Sequence, residues 1–318
     1  MNKFTLILDS SQINCFLECP TLWYYQYVKR LILPVAGEKD DSSMDMGTYG
    51  HHLLAVYYRK RRLGISFNDA VEASFNFDID NHTCSKCNCD VSNHKLIDSI
   101  KLYECQQCHN CLLPAPAPKA FPLRQDLRQK VKNRLREYFL KYQANDFTAV
   151  SPESVEVGFS EPIYEDSQNL FVLEGRIDLI GQQQGLDLLV DHKFQLRKHN
   201  LYKKSIQFRN YALIAKKLML IINYVRLSDK ANDDTLVRDI ASFTVPELLD
   251  WKKKLIQIFF DIKEAIQTQN FDQNWSSCSG KYGYPCSFAT LCEEVNKDVV
   301  QLKERQLYEV KTSIWRPW

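Results

Sequence analysis

The 318-residue sequence has no long hydrophobic run, no surplus of either charge and no apolar stretch behind its amino-terminal methionine. A helix that crosses a bilayer takes roughly 20 consecutive apolar residues, and no segment approaches that length. Met1-Asn2-Lys3 does not lead into a secretory signal, so a soluble, cytoplasmic protein without a membrane partner is expected. Lys and Arg number 41 against 39 Asp and Glu, a formal net charge of +2. Overall charge therefore does not single out a polyanionic partner, and local clusters must supply any such recognition. Core-forming residues are plentiful: 45% of the chain is hydrophobic, which at this length supports one large domain or one domain carrying inserts.

Eleven cysteines are also present, too many for an ordinary reduced cytosolic enzyme unless most of them bind metal. Six fall between residues 84 and 111, three between 278 and 292, and Cys15 and Cys19 lie near the amino terminus. Cys84-x2-Cys87 and Cys105-x2-Cys108 stand seventeen residues apart, the spacing of a zinc ribbon, in which each pair forms a knuckle presenting two thiolates to half of a tetrahedron. These four are the predicted zinc ligands, with Cys89, Cys111, His82, His94 and His109 nearby as alternatives. A closed four-thiolate site staples a small module together and leaves no open catalytic position. The proline-rich stretch 112–118 follows as a stiff extended linker, marking residues 81–118 as an insertion with little helical or strand periodicity of its own.

Residues 10–33 are predicted helical, with Ser10 or Ser11 as N-cap, a break at Pro20 and a stop at Pro34. The aromatic interior of this stretch (Trp23, Tyr24, Tyr25, Tyr27) is assigned to the core rather than to base stacking. A second helix, 44–62, carries Gly47-Thr48-Tyr49-Gly50-His51-His52 and ends in Arg59-Lys60-Arg61-Arg62. In 123–143, Leu127, Val131, Leu135 and Phe139 recur at four-residue steps beneath a basic face. Strands are predicted at 154–159, 170–180, 186–194, 220–227 and 237–244, with a helix at 206–218. A long amphipathic helix starts at Pro246 and runs to about residue 269.

The chemistry concentrates in residues 173–193. A strand carrying Gly175-Arg176-Ile177-Asp178 meets a polar turn at 182–185, and a second strand ends Val190-Asp191-His192-Lys193. Residues two apart in a strand share a face, so Asp191 and Lys193 emerge together and His192 points the other way. Folding the hairpin back brings Asp178 close to Asp191. Carboxylate oxygens are the preferred ligands of Mg²⁺ and Mn²⁺, and a neighbouring lysine can orient water and offset charge on a phosphate. Gln207 and Tyr211, at i and i+4, share one helix face. From spacing alone, a set of strand-end salt bridges accounts for Asp178, Asp191 and Lys193 equally well.

In order along the chain, Gly175-Arg176-Ile177-Asp178, Val190-Asp191-His192-Lys193 and Gln207-x3-Tyr211 resemble the successive motifs of the PD-(D/E)xK nuclease superfamily, in its RecB-like exonuclease branch. Gly47-Thr48-Tyr49-Gly50-His51 resembles the upstream helix motif of that branch. The resemblance implies an α/β, restriction-endonuclease-like core: a mixed central sheet flanked by helices. It implies a metal-dependent DNA exonuclease acting on single-stranded DNA or DNA ends, with Mg²⁺ or Mn²⁺ held by His51, Asp178, Asp191 and the backbone carbonyl of His192. Lys193 would position the attacking water, supported by Gln207 and Tyr211. Cys19-Pro20 with Cys278, Cys286 and Cys292 is similar to the split cysteine set of the branch's iron-sulfur members, which implies a [4Fe-4S] cluster; a second zinc site is the alternative. The zinc-ribbon insertion departs from the compact members and is a candidate surface for a protein partner. Arg197, Lys198, Lys203 and Lys204 are candidate phosphate contacts. The expected organisation is a helical amino-terminal part of the nuclease domain (1–80), the inserted module (81–118), the nuclease core (119–270) and an iron-sulfur segment with tail (271–318). A non-catalytic DNA-binding or assembly subunit and a structure-specific endonuclease are the competing functions.

Overall fold

The computed structural model describes residues 3–33, 42–76, 94–97, 102–105, 112–114, 123–195, 203–228, 235–279 and 285–311. In chain order, β1 (Phe4–Leu8) leads into α1 (Ser10–Glu18), α2 (Pro20–Trp23), a π-helical turn at Tyr24–Val28 and β2 (Leu31–Ile32). The helices α3 (Ser42–Arg62) and α4 (Phe67–Phe75) follow, then three short strands, β3 (His94–Ile97), β4 (Leu102–Cys105) and β5 (Leu112–Pro114). After α5 (Gln125–Tyr142) and β6 (Thr148–Ala149) come the long strands β7 (Val155–Glu165), β8 (Asn169–Gln183) and β9 (Leu186–Gln195). The chain continues through α6 (Ile206–Ala215), β10 (Met219–Arg226), β11 (Leu236–Ser242) and α7 (Val245–Thr268) to α8 (Ala289–Cys292), α9 (Lys297–Leu307) and β12 (Glu309–Val310).

A seven-stranded mixed sheet runs β1-β8-β9-β10-β11, with β6 and β7 also paired to β8. The β1–β8 and β9–β10 pairs are parallel, and the remaining pairs are antiparallel. Gln184 and Gly185 close the β8–β9 hairpin with φ of 52° and 79°, the pair of positive angles that a two-residue turn needs to match strand twist. Helices cover both faces, as an α/β architecture requires. One core packs α1, α6 and α7 on the sheet through Ile13, Phe208, Leu255 and Phe259 against Leu173 and Ile222. The other packs α3 and α5 through Leu53, Tyr57, Leu135 and Phe139 against Leu179, Val190 and Ile221. A third, smaller cluster of Tyr25, Leu31, Phe288, Leu291 and Tyr308 joins the start of the chain to its carboxyl-terminal part.

The expected mixed α/β core is present, and several local expectations are corrected. The first helix is capped by Asp9, whose Oδ1 accepts from the Gln12 N–H at 2.8 Å, and not by Ser10 or Ser11. A carboxylate fills an N-cap as well as a hydroxyl does and adds favourable charge at the helix dipole. Helix does not extend to residue 33: Pro20 restarts it, Arg30 adopts φ 57°, and Leu31–Ile32 pairs antiparallel with β12. The edge strand β1 and helix α4 were absent from the sequence reading. The aperiodic insertion contains β3, β4 and β5, paired antiparallel, and residues 112–114 belong to that sheet rather than to a linker. The amphipathic helix begins as expected, with Pro246 in its first turn and a reciprocal Thr244–Glu247 capping box.

Candidate functional site

The site lies where two strands part. Strand β8 shares one edge with β1 from Asn169 to Leu173 and with β9 from Leu179 onward. The last β8–β9 pair is Leu179↔Val190, so the next residues facing each other are Asp178 and Asp191. On the other edge of β8, the pairs Val155↔Leu179 and Val157↔Ile177 set Glu156 opposite Asp178. Three acids thus form a row across β7, β8 and β9. Like charges directly opposed in a sheet are destabilising, and a bound cation offsets that repulsion. The parting also frees the His192 N–H from the ladder, and it donates to Asp178 Oδ2 at 2.6 Å.

Helix α3 brings the imidazole. Gly47 and Gly50 face Phe194 of β9, and a Cβ on Gly50 would lie 2.3 Å from the Phe194 ring. Only glycine permits this close approach of helix to strand. His51 then places Nδ1 3.4 Å from Asp178 Oδ2 and 3.6 Å from Glu156 Oε1. Among the described residues, His51, Glu156 and Asp178 are the one group of three or more such side chains whose ligand atoms all lie within 4.8 Å of one another. Glu156 reaches that position with φ 57°, in the left-handed region, which costs a non-glycine residue about 1–2 kcal/mol. Such strain persists where the surrounding structure over-determines it, and it concentrates at functional sites.

Lys193 projects from β9, and its supports approach from α6. Lys193 Nζ is 2.8 Å from Asp191 Oδ2 and donates to Gln207 Oε1 at 3.2 Å. Gln207 Nε2 donates to Asp191 Oδ1 at 3.3 Å and to the Tyr211 hydroxyl at 2.8 Å. Asp191 is only 1% exposed, and its Oδ2 is ion-paired with the Lys193 ammonium. Two carboxylates and an imidazole with ligand atoms within 4.8 Å of one another, beside this buried acid, fit a divalent cation with oxygen-rich coordination. On the opposite face, His192 stacks on Tyr58 with ring centroids 5.7 Å apart, and its Nδ1 lies 2.7 Å from Asn223 Nδ2.

The electrostatics agree with that fit. Burial, joined by repulsion from Asp191 and Glu156, raises Asp178 to about 7. Burial alone would lower His51, but the charges of Asp178 and Glu156 outweigh it and hold the imidazole up to about 9. Burial would raise Glu156, yet His51 and Arg176 keep it below the ordinary glutamate value. Burial opposes the charge on Lys193, and Asp191 with Asp178 restores it, raising its pKa. Buried His192 is pushed well below its ordinary value and is neutral. Without metal, the cluster therefore keeps a proton on His51 at neutral pH, which a metal would displace.

The structure brings together every predicted member of the acidic site, His51, Asp178, Asp191, Lys193, Gln207 and Tyr211, and adds Glu156, which sequence reasoning missed. Register across the β7–β8 hairpin was the available signal, but neither that register nor the left-handed φ is legible in a single strand. Of the predicted phosphate contacts, Lys203 and Lys204 make exposed ion pairs with Asp239 and Glu247, while Arg197 and Lys198 lie outside the described residues. Cys84, Cys87 and Cys108 also lie outside them, and Cys105 ends β4. Cys19, Cys278, Cys286 and Cys292 line one small cavity, and Cys15 is not among its lining residues. All four are free thiols, and the Asn274 N–H donates to Cys19 Sγ at 3.5 Å. Burial and the other three sulfurs push the Cys292 thiol up to about 12.

A family model described as the PD-(D/E)XK nuclease superfamily matches residues 10–293. Among solved structures, a putative exonuclease from Eubacterium rectale is 10% identical with a TM-score of 0.38, the match covering 94% of this chain and 92% of that one. SSO0001 is 14% identical with a TM-score of 0.31, covering 53% and 70%. No curated protein matches the chain significantly. With the family match spanning nearly the whole sequence and its acids, histidine and lysine gathered where β8 and β9 part, the chain belongs to the PD-(D/E)XK nuclease superfamily.

Proposed function

We propose that the protein is a metal-dependent exodeoxyribonuclease of the RecB-like branch, acting on single-stranded DNA or DNA ends. The observation that carries this reading is the cluster of His51, Glu156 and Asp178, whose ligand atoms lie within 4.8 Å of one another, with the buried Asp191–Lys193 ion pair beside it. His51, Glu156, Asp178 and Asp191 would hold Mg²⁺ or Mn²⁺, with the His192 carbonyl as a further ligand. When bound, the ion supplies Lewis-acid polarisation of a phosphoryl oxygen and lowers the pKa of water. Lys193, held by Gln207, orients a water and offsets charge on the phosphate; Tyr211 fixes the glutamine. His192 acts through its backbone, which holds Asp178 in place.

Cys19, Cys278, Cys286 and Cys292 would hold a [4Fe-4S] cluster that joins the first helices to the carboxyl-terminal segment. The four thiols share one cavity, which supports this assignment. Cys84, Cys87, Cys105 and Cys108 would hold zinc in the inserted module; their spacing and the small antiparallel sheet of β3, β4 and β5 support it. That module is the proposed site for a protein partner.

The deciding assay uses end-labelled linear and circular DNA, single- and double-stranded, with Mg²⁺, Mn²⁺ or EDTA. Wild type is expected to degrade linear DNA only with metal. Asp191→Ala and Lys193→Ala should each lose roughly 100-fold or more. Undiminished activity in both variants would defeat the assignment, and cleavage of circles would establish an endonuclease instead.

A further inference from the structure

The nuclease reading leaves Arg176 without a task, although its guanidinium stands at the mouth of the site. Its Nε lies 2.9 Å from Glu156 Oε2, and the side chain is 42% exposed. Among the described residues it makes no other ion pair or hydrogen bond, so its two terminal NH₂ groups remain available. The other charged groups of the site are more enclosed: His51 26%, Lys193 24%, Glu156 14%, Asp178 10% and Asp191 1% by side-chain exposure. The charge balance points the same way. Three carboxylates against one ammonium leave a deficit that a divalent ion just neutralises, with His51 neutral as a ligand. A phosphodiester carries a further negative charge, and Arg176 is the group that would meet it. Glu156 is well placed to aim the guanidinium, since its own backbone is held at φ 57° and its carboxylate is largely enclosed between His51 and Arg176.

We propose that Arg176 is the substrate clamp of this site, a residue that binds a DNA phosphate adjacent to the metal through its free guanidinium edge while Glu156 holds its Nε. The proposal rests on the nuclease reading and deepens it. A planar guanidinium offers paired N–H donors that match two phosphate oxygens, which an ammonium does not. Arg176 contributes one phosphate contact to affinity and no base recognition.

The test measures binding of a labelled single-stranded oligonucleotide in Ca²⁺ across a salt series, together with Mn²⁺ affinity by calorimetry, for wild type, Arg176→Gln and Arg176→Lys. Loss of one phosphate contact should lower the slope of log K against log salt by about 0.7. Arg176→Gln is expected to bind about tenfold more weakly at 50 mM salt and about fourfold more weakly at 200 mM, with Mn²⁺ affinity undiminished. Arg176→Lys should keep the wild-type slope and lose a few-fold in affinity. Removing a cation beside the site does not weaken binding of another cation, whereas removing a mere prop for Glu156 does. An unchanged slope in Arg176→Gln, or a fall in Mn²⁺ affinity as large as the fall in DNA affinity, overturns the proposal. Wild-type protein that neither binds nor cleaves DNA would instead defeat the nuclease reading itself.

Discussion

Replacing Gly50 by alanine tests how α3 delivers His51 to the acids without touching any ligand. The new Cβ would lie 2.3 Å from two atoms of the Phe194 ring and 2.6 Å from a third. Ordinary carbon contacts are about 3.5–4.0 Å, so helix and ring must separate by about 1.2–1.7 Å. Alanine improves helix propensity by about 1 kcal/mol, while overpacking of this kind costs about 1–3 kcal/mol. The steric cost is the larger, and a fall of about 2–4 °C in Tm per net kcal/mol is expected from thermal melts. Function should suffer more than stability. His51 adjoins Gly50 and sits 3.4 Å from Asp178, so a helix displaced by more than 1 Å withdraws its Nδ1 from ligand range. Mn²⁺ affinity by calorimetry is expected to drop at least tenfold. The double variant Gly50→Ala/Phe194→Leu removes the ring that the methyl group strikes and should recover most of the lost Mn²⁺ affinity. Wild-type Tm and Mn²⁺ affinity in Gly50→Ala, or no recovery in the double variant, would refute the claim that glycine at this contact sets the position of His51.

Further outcomes follow from the same geometry. Metal-free protein keeps His51 protonated, a pairing that stabilises the fold below pH 6.5 and is lost as pH rises through about 9. Mn²⁺ displaces that proton, so its apparent affinity should climb by up to about tenfold per pH unit between 6.5 and 9; a flat calorimetric profile would contradict this. Asn223→Ala leaves the buried Nδ1 of His192 without its partner and should destabilise by about 1–3 kcal/mol in denaturant titrations. Cys278→Ser, purified without oxygen, is expected to lose iron, sulfide and visible absorption relative to wild type; iron-free wild type with zinc at these cysteines would remove the cluster from the reading. Glu156→Gln keeps shape and removes one charge, and it should weaken Mn²⁺ binding while releasing Arg176 from its ion pair.

Much of the core was legible because burial stamps a period on sequence. Strands β8, β9 and β10 and helices α5, α6 and α7 were placed to within a few residues by alternation, four-residue repeats and capping. Short elements carried too little pattern: β1 is five residues long, and β3, β4 and β5 are shorter still. The pairing of Asp191 with Lys193 on one face followed from strand periodicity, and the i, i+4 spacing of Gln207 and Tyr211 from helix periodicity. Both are properties of a single element, which is why a sequence can display them.

What the sequence determined by itself, then, is the set of reactive groups each element carries, since strand and helix periods are local and need no partner. Only the tertiary structure decided which groups meet. Glu156 joins the site because the β7–β8 register sets it against Asp178 and the fold sustains a left-handed φ there. His51 joins because Gly50 lets α3 close on Phe194, and Asp178 and Asp191 are left free of the strand ladder between them because β8 turns from β9 toward β1. Registers, close approaches and the parting of strands are relations between segments distant in the chain, and hydrophobic periodicity within one segment does not encode them.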